Sequence, residues 1–525
     1  MVNVTYGSLN EQDAIEQGGT DFIATQSTGE VNAYSPGDMA WVLTCTALVW
    51  VMIPGLSFLY SGLARRKNAL NMVFLSFVST SIVSFQWFFW GYSLCFSRNS
   101  GTFFGKLNNF GLINVLDFPA QAANEKIPEI IFAMYQGMFA CVAPALLIGA
   151  AAERSRVAPA MVFIFVWTTL CYDPLVAWIW NPNGWAAQWG VLDYAGGIPV
   201  EIASGVGGLV YSMFIGRRRG YGTEAVLFKP HNVSHIVLGT VFLWVGWLGF
   251  NGGSTYAANL KAGMSIVTTN LAGSFGALTW MIMDYRLERK WSVVGFCTGA
   301  ICGLVAITPA AGFVGAPASI LIGFLASFLS NLSTRLKNMA RIDDVMDIFA
   351  CHGLSGAIGT FLTGIFTQAS VAHNDAISDI EGGWIDRNFV QLGKQVAWIA
   401  VGTGWVFVVT YAIMFVINLV PGLRFRVDEE GEILGLDEAE HGEFTADYVE
   451  MRRHAEDYYG EVPTGLRGGF GAPAGDMHRT ESRCSHATEE VPEEKTERTA
   501  GGDVDGDGDG KKQDKELGDK DNREQ

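Results

Sequence analysis

The sequence predicts an all-α membrane protein that crosses the bilayer eleven times. Hydrophobic residues make up 49% of the 525-residue chain, charged residues only 17%, and the mean hydropathy is +0.23. Soluble globular chains of this length rarely combine these values. The apolar residues also gather in eleven stretches, and each is close to the roughly 20 residues that a helix needs to cross a bilayer.

The predicted spans alternate with polar loops that differ in their basic residues. Lys and Arg in short loops mark the cytosolic side of a membrane protein. The first 64 residues contain neither, whereas Arg65, Arg154 and Arg217 to Arg219 lie in loops that an outside N-terminus places inside. An odd number of spans then places the C-terminus inside. At the cytosolic ends of the helices we expect Glu153 and Arg154 to pair, and Asp343, Asp344 and Asp347 to cap the start of the tenth span. The eleven spans lie near residues 39–61, 70–96, 128–151, 158–180, 192–215, 233–254, 263–285, 292–310, 315–334, 345–367 and 395–420.

Four regions follow from this layout: an extracellular segment (1–38), the transmembrane domain (39–421), a structured cytosolic region (422–462) and a disordered acidic tail (463–525). Most of the net charge of −17 lies after Pro421, so the acidity describes the tail and indicates no nucleic-acid partner. The tail is rich in Gly, Asp, Glu and Lys, a composition that does not bury a core. The N-terminal segment carries a candidate glycosylation site at Asn3, in Asn3-Val4-Thr5.

An internal repeat is the most informative feature. The pattern is an ionisable residue, then Ser and Gly three and four positions later, then Gly at position seven, all on one helix face. Its copies lie in the fifth and tenth spans, which cross the membrane in opposite directions. This predicts inverted five-helix repeats plus one extra helix, with the working site between the halves. The copies are Glu201, Ser204, Gly205 and Gly208, and His352, Ser355, Gly356 and Gly359.

The ionisable residues of the two copies are the candidate pore centre. Gly and Ser at this spacing also occur where helices merely pack together, and a buried His is often a structural donor. However, a carboxylate near the middle of a span costs about 2.5 to 3.5 kcal/mol on insertion scales. That cost favours a functional role for Glu201, facing His352 near the bilayer centre.

Several longer runs then carry a resemblance to a known family. Residues 193–197 and 343–353, which lead into the two repeat copies, and residues 136–141 and 247–254 resemble the motifs of Amt/Mep/Rh ammonium transporters. The resemblance extends from Met39 to about Asp447. It implies a trimeric, multi-pass plasma-membrane permease for ammonium and methylammonium that is not an enzyme and needs no cofactor.

One position departs from the usual family pattern. Most members have histidine at both pore positions, whereas this chain has Glu201 at the first and His352 at the second. The arrangement is similar to that of a subset of fungal ammonium permeases. It argues against a mechanism in which two imidazoles share one proton.

The resemblance also implies an outer substrate site. Aromatic faces and a hydroxyl at Trp180, Phe250 and Ser254 would bind a cation in place of water, with Asp193 shaping the entrance and adding long-range attraction. Phe139 would pair with Phe250 as an apolar gate below. The alternative is the belt of aromatic residues found at membrane interfaces.

The resemblance extends to the tail, and it leaves two other functions open. Residues 422–447 are similar to the family's docked C-terminal region, and the tail beyond offers Ser and Thr to a kinase or regulatory protein. We expect no metal site, since the Asp-Gly run at 503–509 lacks the closing Glu of an EF-hand, and no disulfide framework. The alternatives to transport are an ammonium sensor and an Rh-like channel for neutral gas.

Overall fold

Helices dominate the computed structural model, which describes residues 4–5, 21–24, 31–223 and 229–445. Within these ranges ten helices are long and apolar enough to cross a membrane. Ten of the predicted spans are therefore confirmed as helices of spanning length. The helices are α1 (Pro36–Leu63), α2 (Arg66–Phe96), α3 (Glu129–Ala151), α4 (Val157–Ile179), α5 (Gly197–Ile215), α6 (Val233–Thr255), α7 (Leu260–Glu288), α8 (Val293–Ile307), α9 (Ala316–Met339), α10 (Phe349–Phe366), α11 (Val390–Leu419) and the short α12 (Glu429–Leu434).

The helix that falls short of spanning length is α8, with 15 residues. At 1.5 Å per residue it is about 22 Å long, less than the thickness of a hydrocarbon core. The chain leaves the helix at Thr308 because Pro309 has no N–H to continue it. The buried turn that follows accepts hydrogen bonds from the segment before α5, through Tyr194 N to Pro309 O and Ala195 N to Thr308 O.

A small sheet precedes the helices and was not part of the all-α prediction. Strand β3 (Val31–Tyr34) lies between β1 (Val4–Thr5), to which it is parallel, and β2 (Asp21–Ala24), to which it is antiparallel. Helix α1 begins directly after β3. Ser35 caps it by accepting a hydrogen bond from Asp38 N at 3.3 Å, with Pro36 in the first turn, a combination typical of helix starts.

Four of the long helices contain a π-helical turn, in which the backbone widens by one residue. The turns are Trp87–Gly91 in α2, Thr168–Tyr172 in α4, Gly197–Ile202 in α5 and Phe349–Leu354 in α10. Such turns are rare and concentrate at functional sites. Those in α5 and α10 contain the two candidate pore residues.

The repeat glycines bring α5 and α10 into backbone contact, as the sequence predicts. A Cβ on Gly205 would lie 2.0 Å from Gly353 N, and one on Gly356 would lie 2.9 Å from Glu201 Cβ. The last glycine of each copy faces a third helix: Gly208 contacts the end of α3 at Ala150, and Gly359 contacts the carbonyl oxygen of Ala306 in α8.

One end of the bundle, which we call the basic face, is formed by the loops that carry Arg65, Arg154 and Arg218. The sequence suggests Glu153 and Arg154 as a pair, and this is wrong. Glu153 pairs instead with Arg65 at 2.7 Å and Arg218 at 3.0 Å, while Arg154 donates to backbone carbonyls, including that of Asp343 at 2.6 Å. Residues adjacent in sequence diverge here because three loops converge.

The acidic residues before α10 also differ in role. Asp344 caps the helix by accepting from Phe349 N at 2.8 Å, as expected. The other two were expected to cap it as well, but Asp343 pairs with Arg218 and Asp347 with Lys337. Only one carboxylate fits the start of the helix, and the others meet basic residues of neighbouring loops.

The chain after α11 returns to the basic face. Asp437 accepts from the backbone N–H groups of Leu70 and Asn71 at 3.0 and 2.9 Å. Glu432 pairs with Arg426 at 2.8 Å and accepts from Arg219 N. The description ends at residue 445, so the rest of the 422–462 region, the acidic tail with its Asp-Gly run, and Asn3 lie outside the described residues.

Candidate pore and substrate site

The two candidate pore residues meet between α5 and α10. His352 Nδ1 lies 2.8 Å from Glu201 Oε2, a hydrogen-bond distance. Glu201 is fully buried and His352 is 3% exposed. The other carboxylate oxygen, Oε1, is buried and has no hydrogen-bond partner in the described structure. The sequence thus predicted a pair that the structure brings into direct contact.

This geometry equips the pair for proton chemistry. The contact joins a carboxylate oxygen, which accepts hydrogen bonds, to a ring nitrogen that can donate or accept one according to its tautomer. The free oxygen of Glu201 is an acceptor without a donor, which is costly in a buried place unless a ligand, water or proton supplies one. The pair could therefore accept a hydrogen bond or a proton from a small molecule that reaches it.

An aromatic stack joins α3 and α6. The rings of Phe139 and Phe250 are parallel to within 23° and their centroids lie 3.8 Å apart. Both residues are buried, at 1% and 0% exposure. Trp180 meets Phe139 edge-on at 5.9 Å. Rings at this spacing are in van der Waals contact and leave no room for a hydrated ion between them.

Two residues that contact the stack, Trp180 and Ser254, are partly exposed. Trp180 Nε1 donates to the carbonyl oxygen of Asp193 at 3.0 Å, which fixes the indole ring. Ser254 Oγ donates to Phe250 O at 2.9 Å and lies 3.4 Å from the hydroxyl of Tyr135. An indole ring and two hydroxyl groups thus border the stack at what we call the candidate entrance, and aromatic faces can attract a cation without carrying charge.

Asp193 is held away from the entrance by its own hydrogen bonds. Its carboxylate accepts from the N–H groups of Gly196, Gly197 and Ile198 at 2.6 to 3.0 Å. The indole of Trp398 donates a fourth bond at 3.2 Å. Both oxygens are thus occupied by the start of α5, and any help from Asp193 to a cation acts through distance.

Further residues contact each other beside Ser254, and the sequence predicted no role for them. Tyr135 OH donates to Phe250 O at 2.7 Å, and Gln136 Nε2 donates to the hydroxyl of Tyr256 at 3.0 Å. Tyr256 adopts a left-handed backbone conformation, with φ of 56°. Gln136 lies in the run 136–141 that resembles the family motifs. Its contact with Tyr256 joins α3 to the end of α6, and residue spacing within one helix does not predict contacts between helices.

Trp247 supports the stack from the side of α8. Its indole N–H donates to the Thr308 hydroxyl at 2.8 Å, and its ring lies 5.8 Å from that of Phe250. In the described part of the chain, no group of three or more His, Cys, Asp or Glu residues could hold a metal ion. The site is therefore built from aromatic rings, hydroxyl groups and one carboxylate–imidazole pair.

Known proteins share the sequence and fold of this chain. Residues 40–446 match the model of the Ammonium Transporter Family. The chain is 51% identical over 411 residues to Ammonium transporter 1 of Schizosaccharomyces pombe, an alignment that covers 78% of this chain and 82% of that one. It is 46% identical over 415 residues to Ammonium transporter MEP2 of Saccharomyces cerevisiae, covering 78% and 83% of the two chains.

A solved structure agrees with these relatives. The crystal structure of Candida albicans Mep2 superposes with a TM-score of 0.72 at 44% identity, covering 76% of this chain and 87% of that one. The family model, the relatives and the fold agree over the same region, which contains the pore pair, the stack and the entrance. The chain belongs to the Ammonium Transporter Family.

Proposed function

We propose that this protein is a plasma-membrane ammonium permease that imports ammonium, and methylammonium as its analogue, without acting as an enzyme. The proposal that ammonium is the substrate rests on membership of the Ammonium Transporter Family. The observations that carry the mechanism are the buried Glu201–His352 pair and the buried Phe139–Phe250 stack. In this proposal eleven helices cross the bilayer as two inverted five-helix repeats and one extra helix, N-terminus outside, in a homotrimer surrounded by lipid.

The first step is recruitment of the cation. Ammonium exchanges some of its water for the rings of Trp180 and Phe250 and for the hydroxyl of Ser254. Each cation–π contact contributes about 0.5 to 2 kcal/mol. This is enough to concentrate ammonium at the entrance and weak enough to release it inward.

The second step is loss of the proton at the stack. Transfer of a bare cation into a narrow apolar path is far more costly than transfer of a neutral amine. Ammonia therefore passes Phe139 and Phe250 in neutral form. It then meets Glu201 and His352, which offer a polar stop between apolar segments, while the proton crosses separately.

A sensor with little flux and a neutral-gas channel are the rival functions. A gas channel has no need of the partly exposed indole and hydroxyl that surround the entrance. The sensor reading draws on the tail, of which residues 446–525 lie outside the described structure. A sensor predicts little methylammonium uptake, and a neutral-gas channel predicts uptake with little current. The proposed mechanism predicts a current that increases with uptake.

The decisive test is a set of Glu201 variants in a host that lacks its own permeases. We expect Glu201→His to carry ammonium with a shifted pH profile, because two imidazoles replace a carboxylate–imidazole pair. We expect Glu201→Leu to reduce the current that accompanies each amine, because the polar stop is lost. Currents should be recorded from acid to neutral external pH with surface amounts measured. Identical profiles and charge per amine in all three proteins would reduce Glu201 to a packing residue.

A second test concerns the region after α11. The contacts of Asp437 and Glu432 with the basic face support a role in coupling this region to transport. We expect truncation after Pro421 to abolish uptake and truncation after about residue 460 to leave it intact. Full uptake by the shorter protein would show that the docked segment is dispensable.

A further inference from the structure

Helix α4 contains a buried carboxyl group that the proposed path does not use. Asp173 is 1% exposed and lies where the π turn Thr168–Tyr172 gives way to the last turns of the helix. Pro174 follows it and removes one backbone N–H from the helix. Among the ion pairs of the described residues, none involves Asp173.

Its partner is an amide on α2. Gln86 Nε2 donates to Asp173 Oδ2 at 2.6 Å and to Thr169 Oγ1 at 3.1 Å, which uses both of its hydrogens. Thr169 also accepts from the indole N–H of Trp90 at 3.0 Å and donates its own hydrogen to Phe165 O. Because an indole N–H only donates, this set of contacts favours the orientation with the amide nitrogen toward Asp173.

The backbone is shaped to receive this amide. A Cβ on Gly91 would lie 2.5 Å from Gln86 Oε1 and 2.8 Å from Nε2. A side chain at position 91 would therefore displace the amide. Gln86 is also followed directly by the π turn Trp87–Gly91, so both partners sit beside a π turn.

Two oxygens of the contact lack a donor. Asp173 Oδ1 and Gln86 Oε1 are both fully buried with no hydrogen-bond partner in the described structure. Their side chains are already joined through the other two polar atoms. A single proton on Asp173 Oδ1, donated to Gln86 Oε1, would satisfy both oxygens and close a ring of two hydrogen bonds. Without it, an ionised carboxylate and a second acceptor remain unpaired inside a span.

We propose that Asp173 is a neutral carboxylic acid that forms a two-bond clasp with Gln86, and that this clasp positions Trp180. The helical segment Asp173–Ile179 runs directly into Trp180, so its tilt sets where the indole lies over Phe139. The titratable groups nearest Asp173 are Tyr172, next to it in sequence, and Cys95, whose thiol donates to the Asp173 carbonyl at 3.6 Å. The second half of the proposal rests on the proposed role of Trp180 in recruitment.

Substitutions of Asp173 separate a neutral acid from a charge. In Asp173→Asn an amide N–H takes the place of the acid O–H, so both bonds of the clasp persist, and we expect uptake like that of the wild type from acid to neutral pH. Asp173→Leu removes both bonds. For it and for Gln86→Leu we expect the half-saturating methylammonium concentration to rise about fivefold or more, with a smaller change in maximal rate, at matched surface amounts.

Infrared spectroscopy of the purified protein tests the acid itself. We expect the carbonyl stretch of a protonated carboxylic acid in the wild type and its loss in Asp173→Asn, with Glu201→Gln identifying any band from the pore. An unchanged band in Asp173→Asn overturns the neutral acid. Asparagine and leucine variants that are equally impaired, or equally unimpaired, overturn the positioning role.

The two proposals fail in different ways. If Trp180→Ala leaves the half-saturating concentration unchanged, the recruitment assignment is wrong, and the positioning role with it. The infrared band then still decides whether Asp173 is the neutral acid. Loss of the band in Asp173→Asn, together with a raised half-saturating concentration in Trp180→Ala, supports both the neutral acid and the positioning role.

Discussion

Two of the buried ionic groups in the described structure differ in how completely they are hydrogen-bonded. At the basic face, Arg218 donates to both oxygens of Asp343 at 2.8 to 2.9 Å and to Glu153 at 3.0 Å. The other oxygen of Glu153 accepts from the backbone N–H of Arg65 at 2.7 Å. Every carboxylate oxygen of this network has a donor.

The pore pair is the opposite case. Glu201 and His352 share one hydrogen bond, and Glu201 Oε1 has none. The saturated network has no capacity left for a ligand and serves to fix three loops. The unsaturated pair can still bind a proton or a small donor. Incomplete hydrogen bonding, more than burial or charge, therefore separates the candidate pore pair from the Arg218 network.

The protonation of the basic-face network agrees with this assignment. Burial alone would raise the pKa of Asp343, but the hydrogen bonds and charge of Arg218 outweigh burial and hold that pKa below its usual value. Burial lowers the pKa of Arg154 to about 10, although Asp343 lies nearby. Both groups stay charged at neutral pH, as a fixed structural network requires.

The largest expected effect separates the two groups by stability. Arg218→Leu leaves Asp343 and Glu153 buried with fewer donors, and removal of one partner from a buried pair costs about 3 to 5 kcal/mol. Glu201→Leu removes an incompletely paired carboxylate, and we expect stability equal to the wild type or higher. Thermal unfolding of the purified proteins measures both.

A matched control exists on the same loop. Arg219 pairs with Glu429, but their side chains are 54% and 75% exposed, and exposed pairs contribute about 0 to 1 kcal/mol. Arg219→Leu should therefore unfold close to the wild type. Equal losses from Arg218→Leu and Glu201→Leu would contradict the distinction between the two groups.

The next effect tests whether the helices around the unsaturated pair are rigid. A methyl group on Gly205 would lie 2.0 Å from Gly353 N, a backbone atom that cannot move alone. We expect Gly205→Ala to cost about 1 to 3 kcal/mol through overpacking and to disturb the Glu201–His352 contact. Gly404→Ala in α11 is the control, because a methyl group there would meet no described atom within 4 Å outside its own helix backbone. This substitution should be neutral or stabilising. Unfolding temperatures and uptake rates decide.

A smaller effect is expected at the entrance, where the polar groups are shared with solvent. Trp180→Ala should raise the half-saturating ammonium concentration by about twofold to thirtyfold, because a cation–π contact contributes about 0.5 to 2 kcal/mol. Ser254→Ala should act in the same direction, and maximal rates should change less. Trp189→Ala, which removes an indole that is 46% exposed outside this site, should leave the concentration dependence unchanged. No shift in either entrance variant would remove them from recruitment.

The sequence was a good guide where one helix face determines the contact. The repeat placed Glu201 opposite His352, and the helix-start pattern identified Asp344 as a cap. It failed where loops or distant helices converge: the true partners of Glu153 and Asp343 come from other loops. The amide that contacts Asp173 lies 87 positions away, on α2. Such partners depend on how helices pack, and periodicity within one helix carries no information about that.

The smallest expected effect concerns pH at the docked segment. His441 Nε2 lies 3.0 Å from Asn71 Oδ1, and its ring packs against Phe74. Burial lowers the pKa of His441, which the nearby acids Asp437, Glu440 and Glu443 only partly oppose. His441 thus binds a proton more weakly when the segment is docked than when it is free, where a histidine has a pKa of about 6.5. By linkage, docking is strongest above that value and weakens as the pH falls through it.

We expect trypsin to cleave residues 422–445 faster in the wild type than in His441→Gln as the pH falls from about 7.5 to about 5.5, by roughly twofold to fivefold. The ratio between the two proteins at each pH removes the pH dependence of the protease. The saturated Arg218 network should hold its own loops throughout this range, because Arg218 holds the pKa of Asp343 below its usual value and this carboxylate stays charged. A ratio that stays constant with pH would show that His441 does not sense protons, and that the basic face is uniformly insensitive to them.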